Sequence, residues 1–117
     1  MIVNTQEEFE KAKFQKVFAL DTETTSLNPR VAKLDGIGWG DDKEQYYIDW
    51  QTCDFKKIAI KKFREVFKTS EVIFHNAKFD MKILKHIIAL EYPEKIHDTM
   101  IMSWLLNENR QHGLKEL

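Results

Sequence analysis

The sequence predicts an α/β fold, a mixed sheet with helices packed on its faces. Three observations carry this. Val17-Phe18-Ala19-Leu20 is an unbroken apolar run, the pattern of a strand covered on both faces. Two further apolar stretches flank Gly40-Asp41-Asp42-Lys43, a hairpin-turn composition. Beyond the hairpin, short apolar runs alternate with helical stripes, the order of parallel strands joined by crossovers.

The elements follow in order. Thr5 and Glu8 have capping-box spacing, with Phe9 and Ala12 as the apolar side of a short helix. The apolar strand ends on Asp21, and Asn28-Pro29 breaks the next segment into a loop. Residues 34–39 and 45–50 read as the two hairpin strands. A helix over about 55–68 has Ile58, Phe63, Val66 and Phe67 on its buried side. Val72-Ile73-Phe74 is a short buried strand ending at His75-Asn76. Met81, Leu84, Ile87 and Ile88 form the stripe of a second helix. An extended piece near Ile96 leads to Asp98, and a third helix from Thr99 buries Ile101, Met102, Trp104 and Leu105. Gly113 opens what reads as the first turn of another amphipathic helix, with Leu114 and Leu117 three apart. After the opening helix the order is β-β-β-α-β-α-β-α.

The 117 residues fit one domain, 1–117, able to bury roughly two thirds of its unfolded surface. Hydrophobic residues make up 43% and charged residues 32%, which excludes a disordered chain. The formal net charge of −1 gives no global basic signature, so nucleic-acid binding must rest on a local patch or on metal ions. Cys53 is the single cysteine, so no internal disulfide can form and a reducing compartment is the default. No apolar run reaches the roughly 18 residues of a membrane span, and Met1 opens into polar residues unlike a signal peptide. The expectation is a soluble cytoplasmic protein.

Two acidic motifs carry chemistry. In Asp21-Thr22-Glu23, residues two apart on a strand share a face, so the carboxylates of Asp21 and Glu23 converge. They repel one another unless a positive charge sits between them, and oxygen ligands suit magnesium or manganese. The plain alternative is a solvated strand end whose acids cap the next loop. In Asn76-Ala77-Lys78-Phe79-Asp80, a strand gives way to a helix. There Asp80 is either a site acid or an ordinary first-turn acid, and Asn76 either a site residue or a turn residue.

Taken together, Asp-Thr-Glu-Thr-x-x-Leu after the first strand, His-Asn-x-x-x-Asp at a strand-to-helix junction and Asp98-Thr99-Met100 before a further helix resemble the DEDD exonucleases. The likeness is to the proofreading 3′→5′ exonuclease domain of DNA polymerase I and its phage relatives, and covers nearly the whole chain. It implies a ribonuclease H-like fold. It implies Asp21, Glu23 and Asp80 as catalytic carboxylates and ligands of Mg2+ or Mn2+, Asp21 bridging two ions. It makes Leu27 the wedge between the last two bases, against the alternative of an ordinary core leucine beside Pro29. Thr24 and Asn76 match positions that hold the terminal nucleotide, His75 lines the same pocket, and Asp98 matches a structural or capping acid. The implied reaction is hydrolysis of the 3′-terminal phosphodiester to nucleoside 5′-monophosphates. The implied partner is the single-stranded 3′ end of DNA, with weak preference for base identity.

One motif of that family has no counterpart. The family's third motif is Tyr-x-x-x-Asp, yet none of Tyr46, Tyr47 and Tyr92 has an Asp four residues on. After Asp98 only Glu108 and Glu116 are acidic. Three readings follow: a truncated or split polymerase, a degenerate relative that binds without cutting, or replacement of the missing acid by Asp98 or Glu108. The first adds the remainder of a polymerase, or a second copy of the chain, as a partner. Rival functions are a non-catalytic module for single-stranded nucleic acid and an RNA-trimming exonuclease.

Overall fold

The computed structural model describes residues 1–26, 28 and 31–99. Helix α1 (Gln6–Lys11) is followed by β1 (Val17–Thr24), β2 (Leu34–Gly40) and β3 (Gln45–Asp49). Then come α2 (Lys56–Thr69), β4 (Glu71–Phe74), α3 (Ala77–Ile88) and β5 (Lys95–Asp98). The strands form one mixed sheet in the order β3-β2-β1-β4-β5. β1, β2 and β3 pair antiparallel, while β4 and β5 join parallel to β1. The expected helix beyond Thr99, the turn at Gly113 and the position of Leu27 lie outside the described residues.

Local chemistry explains the elements. The Thr5 hydroxyl accepts from Glu8 N at 3.1 Å, and the Glu8 carboxylate accepts from Asn4 N at 3.1 Å, so the capping box forms one residue wider than its usual reach. In the hairpin, Asp41 Oδ1 accepts from Lys43 N and Glu44 N, both at 2.8 Å. These backbone donors hold the Asp41 carboxyl below its usual range. Gly40 has φ +147°, and a Cβ there would run into the Glu44 carbonyl, so the turn requires glycine.

The sheet corrects one expectation. β1 does not end on Asp21 but runs on to Thr24, and its burial alternates. Phe18, Leu20 and Thr22 are buried; Val17, Ala19, Asp21 and Glu23 are exposed. An apolar run therefore marks a strand covered on one face among the described residues, because α2 and α3 both pack on the Phe18 side. Ile58 is a second correction. It is 40% exposed, and the buried stripe of α2 is Ala59, Phe63, Val66 and Phe67. That stripe follows helical spacing from its own first member, which turns Ile58 outward.

The core lies between that sheet face and the helices. Trp39 stacks on Phe14 with centroids 5.2 Å apart, and Phe63 meets Trp39 edge-on at 5.3 Å. Edge-to-face and offset contacts of this kind add to the area buried by the rings. They anchor α2 to β2 and hold the sheet on which the acidic motif sits.

Candidate functional site

Asp21 pairs in register with Gly38, and Glu23 with Gly36. Both acids project from the open face of the sheet, as period two requires. Burial raises the Glu23 carboxyl above its usual range, and the charge of Asp21 and a hydrogen bond with it raise it further, as does Asp35. The structure thus brings Asp21 and Glu23 together as the sequence predicts.

Thr22, between them, points to the covered face. Its hydroxyl donates to Asp80 Oδ1 at 2.6 Å. Asp80 is in the first turn of α3 and only 4% exposed. Burial pushes its carboxyl up to about 6; the Thr22 hydrogen bond opposes the shift, and the charges of Asp21 and Asp98 add to it. Asp80 therefore reaches β1 from the covered side, while Asp21 and Glu23 stand on the open side. Among the described residues, no three acid, His or Cys side chains gather closely enough to hold an ion.

The other candidate residues are placed as follows. Asn76 caps α3, its side-chain oxygen accepting from Phe79 N at 3.4 Å. Asp98 Oδ2 accepts from Ala77 N at 2.9 Å and so ties the end of β5 to the start of α3. His75 Nδ1 is 2.8 Å from Thr99 Oγ1. The Thr24 hydroxyl donates to the Ser26 carbonyl at 2.9 Å and so holds the turn after β1.

A groove of about 1200 Å³ runs over the open sheet face. Asp21, Gly38, Tyr47, Ile73, His75 and Thr99 are among its walls. Tyr47 is a residue the sequence reading passed over. A Cβ on Gly36 would overlap its hydroxyl and ring, so the phenol lies across β2 beside the register position of Glu23. Burial raises its pKa first, and the charges of Asp49, Glu23 and Asp35 raise it further. The signal was Gly36-x-Gly38-x-Gly40, which leaves one side of β2 bare between the acids and Tyr47.

The donor set suits a hard divalent cation. Asp21, Glu23 and Asp80 offer oxygen only, and burial first, then neighbouring negative charge, holds Glu23 and Asp80 above their usual pKa.

The sequence pattern of the family described as 3'-5' exonuclease matches residues 2–117. The DNA polymerase of Escherichia phage T5 is 32% identical over 108 residues, which is 85% of this chain and 12% of that protein. DNA polymerase I of Borreliella burgdorferi is 36% identical over 111 residues, 90% of this chain and 12% of that protein. The chain thus spans about an eighth of the length of these relatives. Among solved structures, Brucella melitensis NrnC bound to pGG superposes with a TM-score of 0.68 at 27% identity, covering 86% of this chain and 50% of that one. Escherichia coli RNase D has a TM-score of 0.74 at 17% identity, covering 97% and 31%, and bears on the fold alone. With its carboxylate-bearing first strand and its mixed sheet, the chain belongs to the 3′-5′ exonuclease family of the DNA polymerase I type, on a ribonuclease H-like fold.

Proposed function

We propose that this chain is a divalent-metal-dependent 3′→5′ exonuclease domain that hydrolyses the 3′-terminal phosphodiester of DNA, in the proofreading role of a DNA polymerase I-like protein. The observation that carries the reading is the Asp21–Glu23 pair on one face of β1, with Asp80 reaching the same strand from α3. Asp21, Glu23 and Asp80 would hold Mg2+ or Mn2+. Such ions, when bound, activate a water and stabilise charge on the leaving oxygen. Asp80 must give up its proton to serve as a ligand, which makes ion affinity fall below about pH 6. His75 and Asn76 at the start of α3, with Thr24 and Leu27 after β1, would seat the terminal nucleotide. Seating by stacking and wedging reads single-strandedness rather than base edges.

Taken by themselves, these 117 residues carry no Tyr-x-x-x-Asp, and so would lack one ligand of the family's site and the tyrosine that orients water. Slow turnover of these residues alone would follow, since loss of one electrostatic element costs about 10²–10³ in rate. A polymerase remainder or a second copy of the chain would be its protein partner. The free, buried Cys53 suits a reducing cytoplasm. Among the described residues no helix is long and apolar enough to cross a membrane.

A second reading is RNA trimming; it draws support from NrnC, 27% identical and superposing over most of this chain, which was solved bound to pGG. The 2′-hydroxyl would separate the two. Purified chain is incubated with Mn2+ and labelled single-stranded DNA or RNA, and products are resolved. Slow release of nucleoside 5′-monophosphates from DNA, lost in Asp21→Asn, is expected. Faster release from RNA favours the second reading. No metal-dependent trimming at any protein concentration defeats both.

A further inference from the structure

The net charge of −1 conceals a division of charge between the two sides of the sheet. The open side carries Asp21, Glu23 and Asp49. The covering helices carry the reverse sign. Helix α2 has six Lys and Arg residues against one acid, Glu65. Two of the six are engaged: Lys56 Nζ lies 5.9 Å from the Trp50 ring centroid, and Lys62 Nζ lies 5.7 Å from that of Phe14. The other four, Lys57, Lys61, Arg64 and Lys68, are all exposed. Their spacing of four, three and four residues keeps them on one stripe. Ala59, Phe63 and Val66 face the core from the other side of the helix, so the stripe faces away from the sheet. Helix α3 repeats the device with exposed Lys78, Lys82 and Lys85. None of the ion pairs among the described residues involves either helix.

Like charges at this spacing destabilise a helix by a few tenths of a kcal/mol per pair, so the stripe opposes folding unless an anion meets it. From Lys57 to Lys68 it spans about 16 Å of helix axis. That length covers on the order of five phosphates along one strand of a duplex at about 3.4 Å each. We infer that the outward stripe of α2, flanked by the row on α3, is a second nucleic-acid contact, which grips the phosphate backbone of duplex DNA on the side of the sheet away from Asp21 and Glu23. The choice of nucleic acid as the polyanion rests on the proposed function, but the grip itself needs neither metal nor the acidic site. It carries no base specificity, because Lys and Arg on phosphates read charge and not sequence.

Binding of a labelled blunt-ended duplex is followed by fluorescence anisotropy in EDTA, which silences the acidic site. Four phosphate contacts give a log–log salt slope of about −3.6, or roughly 100-fold weaker binding between about 50 and about 200 mM salt. Changing Lys57, Lys61, Arg64 and Lys68 together to Gln is expected to weaken binding at least about ten-fold and to flatten the slope. Changing the three lysines to Arg keeps the charge and is expected to keep the affinity. Lys56→Gln with Lys62→Gln leaves duplex binding unchanged. Loss of duplex binding in the four-Gln variant in EDTA, with its Mn2+-dependent trimming of single-stranded DNA kept, separates this surface from the catalytic reading. Duplex affinity unaffected by the four Gln changes overturns the inference. So does an equal loss in the Lys56/Lys62 control, or tighter binding of polyglutamate than of duplex, which would make the stripe a dock for an acidic protein.

Discussion

The hydroxyl of Thr22 and the carboxylate of Asp80 are hydrogen-bonded at 2.6 Å across 58 residues of sequence, joining the middle of β1 to the first turn of α3. The bond holds a buried acid whose carboxyl is raised to about 6. Asp80 therefore links the proposed site to the stability of the fold.

Between its usual pKa of 3.8 and about 6, folded protein holds a proton on Asp80 that unfolded chain has lost. The stabilisation from that proton is complete below about 3.8 and disappears as pH rises through about 6. Above that the charged acid costs on the order of 3 kcal/mol. Asp80→Asn keeps an oxygen for Thr22 and removes the charge. Without divalent cations the variant is expected to be more stable than the parent by up to about 3 kcal/mol near pH 7.5, with the gain shrinking toward zero near pH 4. Urea unfolding at the two pH values measures it. Equal stability near pH 7.5 would show that Asp80 is not strained by its burial.

Manganese reverses the sign of that effect. An ion bound only by folded protein stabilises it by about 2.7 kcal/mol at a hundred times its dissociation constant. The parent should melt higher with Mn2+, while Asp21→Asn and Asp80→Asn should not. Calorimetric titration of all three proteins reads the same difference as heat. Indistinguishable titrations would remove Asp21 and Asp80 from the metal site.

How far the sequence could be read depends on the range of each interaction. The convergence of Asp21 and Glu23 was legible because strand periodicity acts over two residues. The Asp41 turn and the Thr5–Glu8 cap were legible for the same local reason. The partner of Asp80 was not, because Thr22 lies in another element and its inward aim depends on which sheet face the helices cover. The same ignorance hides which face of Val17-Phe18-Ala19-Leu20 is covered among the described residues: apolar residues do not say on which side a neighbour lies. Strand order was equally hidden, since the pairing of β1 with β4 is set by a crossover. The basic stripe of α2 was in plain view as Lys-Lys-x-x-x-Lys-Lys-x-Arg. It gained meaning only when packing showed which lysines were left outside.

Ala89 ends α3 in the left-handed region, φ 54° and ψ 37°, with its N–H bonded to the Lys85 carbonyl at 3.1 Å. A Cβ in that conformation costs roughly 1–2 kcal/mol, which glycine avoids, although glycine also loses more freedom on folding. Ala89→Gly is expected to raise stability by about 0.5–1 kcal/mol. A variant that unfolds at the same or lower urea concentration would show that this cap is not strained. The change leaves Asn76 and Asp80, at the other end of the helix, untouched.

Gly36 and Tyr47 should be coupled strongly enough to invert the sign of a mutation. Tyr47 lays its ring where a Cβ on Gly36 would stand, so Gly36→Ala must displace the phenol from the open sheet face. Overpacking of this kind costs about 1–3 kcal/mol. The backbone of Gly36 is not in the left-handed region, and the three atoms nearest such a Cβ all belong to the Tyr47 side chain. With the ring removed by Tyr47→Ala, the same Gly36→Ala change is freed of its nearest contacts and is expected to gain the roughly 0.5–1 kcal/mol that alanine holds over glycine inside a strand. Urea unfolding of the parent, both single variants and the double variant closes the cycle. The coupling is expected to exceed about 1 kcal/mol, with Gly36→Ala destabilising beside Tyr47 and stabilising beside Ala. Additivity within about 0.3 kcal/mol would mean that the ring leaves its place at no cost. The phenol beside Glu23 would then be a loose surface group and not a fixed wall of the groove.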